Sequence, residues 1–200
     1  VLRDHGAGAR RRLVLLDEPL VVPNVEGRRP VERAISHSIG RRGGGVQPAN
    51  RGRAEMFGDD APIWPFLAEM SANLDPVTAL ASGIGLHVLE VFPALAIAGL
   101  FPDLRAGGAL PKYNPERSTF RLEDWKGLCL ALADLGHYLG IAELPAWCRK
   151  WAAIPGPRKH DQDKLDAVIC SVVGYLFVVE PKSIGMIGDP RTGYILAILN

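Results

Sequence analysis

Two short apolar runs, each ending in a carboxylate and a nearby proline, constrain the fold of this chain most strongly. The first, residues 13–16 (LVLL), continues directly into Asp17, with Pro19 two residues later. The second, residues 86–93 (LHVLEVFP), carries Glu90 near its end. Short apolar runs bounded by turn residues are typical of buried strands. A carboxylate there costs several kcal/mol unless it is paired, hydrogen-bonded, protonated or bound to metal, so each acid needs a partner.

Helix signals alternate with these strand candidates along the chain. Terminal proline and glycine, or apolar residues at helical spacing, predict helices in residues 30–40, 61–70, 75–85, 93–100, 120–140, 143–154 and 161–179. Asp75 and Asp161 are predicted N-caps. Residues 183–198 have turn residues between two apolar runs, which is typical of a β-hairpin. The pattern predicts a single α/β domain over residues 1–200, with helices packed against a mixed sheet.

Composition narrows the class of protein. Hydrophobic residues make up 48% of the chain and charged residues 22%, as in ordinary soluble globular proteins. No apolar run reaches about 18 residues, so no membrane span is expected. Cys129, Cys148 and Cys170 form no C-x-x-C pair, which predicts reduced thiols in a cytoplasmic protein. The chain has neither a P-loop nor a G-x-S-x-G elbow.

Arginine is concentrated near the start of the chain. Residues 1–53 hold 11 Arg and 5 acids. Because the guanidinium group matches phosphate geometry, Arg28, Arg29 and Arg51 are candidate contacts for a polyanion such as nucleic acid. Lys112, on the loop PKYNP, is a further candidate anion contact. The alternative is a solvated loop region without a ligand.

Four carboxylates are candidates for a catalytic metal site: Asp17, Glu90, Asp163 and Asp166. Asp163 and Asp166 are three residues apart in the D-x-x-D of a predicted helix, where they project from one face. The same face carries the small residues of positions 167, 170 and 174, which suits close approach to a sheet edge. Together the acids predict a cage for Mg²⁺ or Mn²⁺, ions that prefer oxygen ligands.

Each acid also has a structural explanation. Asp17 can end a strand at a turn, and Glu90 can pair with an arginine. Asp163 and Asp166 lie in the first turns of a helix, where acids oppose the helix dipole. These alternatives stay open from the residues alone.

Several motifs together resemble an uncharacterised bacterial family, a domain of unknown function predicted to be an RNase H-like nuclease. They include LLDEPLVVPN, GRRPVERAI, LEVFPALA, PKYNPERSTFRLEDW, KHDQDKLDAVIC and GDPRTGYI. The resemblance implies an RNase H-like sheet flanked by helices and an acidic, metal-dependent centre. The family pattern matches here at Asp17 with Pro19, at Glu90, and at the D-x-x-D-A helix, which is also similar to the closing helix of Holliday-junction resolvases.

The chain departs from the family pattern at its start. The family's first strand, with its glycine and aspartate, has no counterpart, and residues 1–12 resemble the end of the helix before the Asp-x-Pro strand. The resemblance thus implies a fold lacking its N-terminal strands, either inactive or paired with a second copy as a homo-oligomer. The leading hypothesis is a metal-dependent nuclease, and the alternative is a non-catalytic module that binds nucleic acid or protein.

Overall fold

The structure is a computed structural model that describes residues 8–199. Its first two strands, β1 (Arg11–Leu16) and β2 (Gly85–Glu90), pair in parallel. Leu16 lies opposite Glu90 in the register of this pair. The carboxyl ends of both strands therefore lie at one edge, which is where ligands bind in open α/β sheets.

A second pair of strands forms the predicted hairpin. β3 (Ile184–Asp189) and β4 (Gly193–Ile198) pair antiparallel. An isolated parallel bridge between Val91 and Leu196 links β4 to the residue after β2. The two small sheets are thus neighbours, and the predicted mixed α/β class is confirmed.

The seven predicted helical segments are all present, with an additional four-residue helix, α2, too short to show any periodicity in sequence. The α-helices of residues 8–199 are α1 (Pro30–Arg41), α2 (Ala54–Phe57), α3 (Ile63–Met70), α4 (Pro76–Ala81), α5 (Pro93–Leu100), α6 (Leu122–Tyr138), α7 (Leu144–Ala152) and α8 (Lys159–Val179). Residues 43–50 between α1 and α2 form an irregular loop, as the three consecutive glycines predict.

One of the two predicted helix caps is confirmed and the other is wrong. The Asp75 carboxylate accepts hydrogen bonds from the backbone N–H groups of Val77 (3.0 Å) and Thr78 (3.2 Å) at the start of α4. Asp161 is instead the third residue of α8, and its carboxylate accepts from the backbone N–H of Arg158 at 2.9 Å. The acid at the third position caps the helix by reaching back, as in a capping box.

Helix α8 packs against β1 at Gly174. A Cβ on Gly174 would overlap the side chain of Leu15, so glycine leaves the room that Leu15 needs at this contact. The Arg11 guanidinium lies 5.9 Å from the ring centroid of Phe177, one turn further along α8. β1 and α8 therefore run in opposite directions, which brings the start of α8 to the carboxyl end of β1.

Residues 1–12 were interpreted as the end of a helix, and the structure describes residues 8–12 of this segment. Residues 1–7 lie outside the described part of the chain, and Arg11 and Arg12 belong to β1 rather than to a helix.

A membrane-spanning helix is absent from residues 8–199, because every helix there is too short or too polar to cross a bilayer.

Candidate functional site

Asp17 follows β1 directly and lines a surface cleft. By strand alternation it continues the face of Leu15, which is the face packed on α8. The side chain is exposed to the cleft, and within residues 8–199 no group donates a hydrogen bond to its carboxylate. Its pKa is raised to about 8, mainly because surrounding protein atoms keep water away from it and secondly because Asp166 and Glu18 carry like charges.

Asp166 is the second carboxylate of this cleft. It is only 7% exposed, and each of its oxygens accepts one hydrogen bond. The Tyr113 hydroxyl donates to Oδ1 at 2.7 Å and the Gln162 Nε2 donates to Oδ2 at 2.8 Å. Burial raises the Asp166 pKa while these two hydrogen bonds act to lower it, so the carboxylate is held in one orientation beside Asp17.

Gln162 contributes an unpaired oxygen to the same place. Its amide is buried one turn before Asp166 on α8, and its Nε2 is used by Asp166. The remaining atom, Oε1, has no hydrogen-bond donor among the described residues. Buried polar atoms almost always have a partner, so this oxygen is available to a ligand that enters the cleft.

Glu90 lies on β2 in a different environment. It is 3% exposed, and Arg29 donates to its two oxygens from Nη2 (2.6 Å) and Nη1 (2.9 Å). The backbone N–H of Leu20 donates to Oε2 as well, at 3.0 Å. Glu90 thus pairs with an arginine, as the structural alternative predicted. Because Arg29 balances its charge in a buried ion pair, the structure gives Glu90 a structural role, and metal ligation by Glu90 stays a prediction.

Arg29 is the centre of a buried network rather than a contact on the surface. It is 1% exposed, and its Nε donates to Glu32 at 2.7 Å in addition to the bonds with Glu90. Glu32 in turn accepts from the backbone N–H of Ala49 at 3.1 Å. The donors of Arg29 thus fix the chain after β1 and the loop before α2, and substrate binding by Arg29 stays a prediction without support from this geometry.

Asp163 is separated from Asp166 despite their spacing. It is exposed and pairs with Lys159 at 2.5 Å, one turn earlier on α8. The two acids differ in environment because the side of α8 that carries Asp166 turns towards β1. Asp163 does not line the cleft, so the structure does not bring it to Asp17 and Asp166, and its role as a metal ligand stays a prediction.

The other predicted substrate contacts lie on the surface. Arg28 is exposed and donates to the Ser36 hydroxyl at 2.7 Å. Arg51 pairs with Asp59, and its guanidinium lies 5.2 Å from the centroid of the Trp64 ring. Lys112 donates to the carbonyl of Gly43 and lines the cleft. Of these cations, Lys112 alone borders the acids.

The acids open into a cavity of about 460 Å³, here called the acid-pair cavity. Its wall contains Asp17, Asp166 and Gln162, and the cations Lys112 and Arg117 also line it. A second cavity of about 320 Å³, here called the side cavity, adjoins it. The two cavities share six lining residues: Asp17, Gly45, Val46, Gln47, Phe92 and Asn114.

The four predicted acids thus do not converge. Asp17 and Asp166 meet in one cavity, Glu90 is paired beneath the side cavity, and Asp163 faces solvent. Within residues 8–199, no group of three or more His, Cys, Asp or Glu side chains is arranged to hold a metal ion. A site for a cation here would consist of two carboxylates and the Gln162 amide oxygen.

The fold and this cleft define a mixed α/β protein with a pair of carboxylates at the carboxyl edge of its parallel strands. The chain belongs to the family described as Protein of unknown function (DUF429), whose model matches residues 2–182. No curated protein and no solved structure matches it. The family membership expected from the motifs is therefore confirmed.

Two residues of the site escaped the sequence analysis. Gln162 precedes Asp166 by four residues in KHDQDKLDA, which is the spacing of neighbours on one helix face. Tyr113 follows Lys112 in PKYNP and reaches Asp166 across 53 residues of chain. The helical spacing was a usable signal for Gln162, whereas Tyr113 had none.

Proposed function

We propose that the chain is a metal-dependent phosphodiesterase of the nuclease type. The observation that carries the proposal is the pair Asp17 and Asp166, which share one cavity with two cations and with the Gln162 Oε1, an atom that has no donor among residues 8–199. We further propose that β1, β2 and α8 belong to an RNase H-like fold. This is supported by a parallel strand pair that delivers one acid to a helix bearing another.

The oxygen atoms that line the acid-pair cavity are suitable ligands for Mg²⁺ or Mn²⁺. Both ions take oxygen ligands, and Mg²⁺ in particular uses one or two carboxylates and fills its remaining positions with water or phosphate oxygens. In the described part of the chain, the Asp17 carboxylate has no hydrogen-bond donor and each Asp166 oxygen accepts one hydrogen bond only, which leaves lone pairs on both carboxylates. Burial is the main cause of the raised Asp17 pKa, and repulsion by Asp166 and Glu18 adds to it; a cation would relieve that repulsion.

The side chains that line the acid-pair cavity would have two roles, binding the cation and orienting the phosphate. Asp17, Asp166 and the Gln162 oxygen would hold the cation, while Tyr113 and the Gln162 amide N–H keep Asp166 in place. Lys112 and Arg117 would orient the phosphate backbone of the substrate. The metal ion supplies Lewis acidity that activates water and neutralises charge on the phosphoryl oxygens.

A cleavage assay tests the proposal. Labelled single-stranded and double-stranded DNA and RNA would be incubated with Mg²⁺ or Mn²⁺ and with the parent protein, Asp166→Asn or Asp163→Asn. We expect Asp166→Asn to slow cleavage by about 100-fold or more, because it acts more directly than the outer-shell partners whose loss costs 10–100-fold. Asp163→Asn is the matched control on the same helix and should cleave like the parent. Equal cleavage by parent and Asp166→Asn would remove Asp166 from the mechanism.

A non-catalytic binding module is the second candidate, and a specific observation favours it. Two of the four predicted acids form ion pairs, Glu90 with Arg29 and Asp163 with Lys159. If the acids of the cleft served only to stabilise the fold, the parent protein would bind oligonucleotides without cleaving them in the presence of any divalent cation. The same assay therefore separates the two functions when bound and cleaved oligonucleotide are both measured.

A further inference from the structure

The two adjoining cavities differ in charge. The acid-pair cavity has two acids, Asp17 and Asp166, and two cations, Lys112 and Arg117. The side cavity is lined by four acids and only two cations: Asp17, Glu18, Glu32 and Glu90 against Arg29 and Arg53. Since like charges repel, a phosphate group is favoured in the acid-pair cavity and disfavoured in the side cavity. An uncharged group attached to that phosphate is therefore the occupant that suits the side cavity.

Apolar side chains cover much of the side cavity. Met56 is 40% exposed and Phe92 is partly buried at the wall shared with the acid-pair cavity. Phe57 lines the cavity from the protein interior. A thioether and an aromatic ring provide contact surface for the faces of a flat ring. The walls thus match a planar, uncharged group better than a sugar or a second phosphate.

Polar groups without partners border the same cavity. The Glu18 carboxylate has no hydrogen-bond donor among the described residues. The amides of Gln47 and Asn114 accept hydrogen bonds through their oxygens, from Arg53 and from the backbone of Glu116. Their NH₂ groups have no acceptor within residues 8–199. The rim therefore offers one strong acceptor beside two free donors, which complements the edge of a base that carries an amino group.

We infer that the side cavity is a nucleobase site that prefers a base with an exocyclic amino group. The base would lie between Met56 and Phe92, with its amino group donating to Glu18, while its phosphate lies in the acid-pair cavity. This inference rests on the proposed function and adds the substrate class: a nucleic-acid strand with an unstacked base, rather than an intact duplex. Enzymes that act on a base or read it closely take it out of the stack in this way.

Binding to three short single-stranded oligonucleotides tests the inference. One would consist of cytidine, one of thymidine and one of abasic sugar-phosphate, each labelled with fluorescein and titrated with protein in Ca²⁺ while anisotropy is recorded. We expect the cytidine strand to bind about tenfold more tightly than the abasic strand, because its bases stack on the cavity wall. We also expect it to bind more tightly than the thymidine strand. Glu18→Leu should abolish the preference for cytidine over thymidine, because leucine offers the amino group no acceptor.

Two variants serve as controls. Glu116→Gln changes an exposed acid that lines neither cavity and should leave the preference unchanged. Lys112→Gln should weaken all three strands by a similar factor, since it lines only the acid-pair cavity. Equal binding of the three strands by the parent would overturn the base site, as would a preference that survives Glu18→Leu. If equal binding were accompanied by cleavage that depends on Asp166, the proposed function would stand and the base site alone would fail. Absence of both binding and cleavage would overturn both.

Discussion

Arg29 is the buried cation on which two buried carboxylates depend. Its guanidinium bonds Glu32 at 2.7 Å and Glu90 at 2.6 Å. Those carboxylates in turn accept backbone N–H groups from Leu20 and Ala49, which belong to the segments on either side of the cleft. Arg29 is therefore a positioning residue that fixes the walls around Asp17 without lying beside Asp166.

Replacing Arg29 should destabilise the fold strongly. We expect Arg29→Met to lower the free energy of unfolding by about 3–5 kcal/mol, because two buried carboxylates lose their partner. Urea denaturation at neutral pH measures the change. The adjacent and exposed Arg28 is the matched control, and Arg28→Met should change the stability by no more than about 0.5 kcal/mol. Similar losses in the two variants would contradict the role of the network.

Asp17 gives the stability a defined pH dependence. Its pKa in the folded protein is about 8, against an ordinary value of 3.8, so the folded state holds the proton more tightly than the unfolded state. The resulting stabilisation is complete below about pH 4 and is lost as the pH rises through about 8. Asp17→Asn cannot titrate. In EDTA, the parent should therefore lose stability relative to Asp17→Asn as the pH rises through that window.

Urea denaturation of both proteins at several pH values provides the test. The quantity to follow is the difference in the free energy of unfolding between parent and variant, because other titrating groups cancel in it. A difference that stays constant between pH 4 and pH 8 would show that Asp17 titrates normally in the folded protein.

At the scale of elements, α8 and β1 form the unit that builds the cleft. Gly174 allows β1 to approach α8, and the opposite directions of the two elements bring Asp17 to Asp166. The small residues and the acids on one side of the helix were visible in sequence, so this contact was predictable. The sequence did not reveal that Asp163 is exposed and Asp166 is buried, because the packing of α8 against β1 sets the rotation of the helix about its axis.

Gly174→Ala should weaken this contact. The added methyl group would overlap Leu15, and overpacking costs about 1–3 kcal/mol, which exceeds the gain of up to about 1 kcal/mol from helix propensity. Gly127→Ala in α6 is the matched control, because a Cβ there meets no atom within 4 Å and the variant should be more stable than the parent. Thermal unfolding of both variants measures the effect. A stabilised Gly174→Ala protein would contradict the tight packing of β1 on α8.

Long-range pairs set the limit of prediction from sequence at this scale. The alternation of strands and helices, the hairpin and the Asp75 cap depend on neighbouring residues and were all anticipated. The pairing of Glu90 with Arg29 spans 61 residues of chain and that of Asp166 with Tyr113 spans 53. Any of several arginines satisfied the local requirement of Glu90, so only the folded chain distinguishes among them.

For the whole molecule, the three cysteines report on the integrity of the core. Cys129, Cys148 and Cys170 are free and buried in α6, α7 and α8. Burial raises the pKa of Cys129 to about 12 and that of Cys148 to about 11, and it also raises the pKa of Cys170. Reactivity requires the thiolate, so the folded protein should be nearly inert to thiol reagents.

Labelling with a chromogenic disulfide reagent checks this expectation at neutral pH. We expect negligible reaction in buffer and three equivalents in denaturing urea, because unfolding exposes all three thiols at their ordinary pKa. The unfolded protein is its own control for reagent and stoichiometry. Rapid reaction of one thiol in buffer would show that one of these helices is not packed as described.

The whole account depends on the pair of carboxylates acting as a cation site. Calorimetric titration of Mn²⁺ into the parent, Asp17→Asn, Asp166→Asn and Asp163→Asn at pH 8 measures this directly, without any assumption about substrate. We expect the parent and Asp163→Asn to bind Mn²⁺ with equal affinity, and Asp17→Asn and Asp166→Asn to lose this binding. A parent protein that binds no Mn²⁺, or an Asp166→Asn protein that binds it like the parent, would contradict a cation site at these two carboxylates.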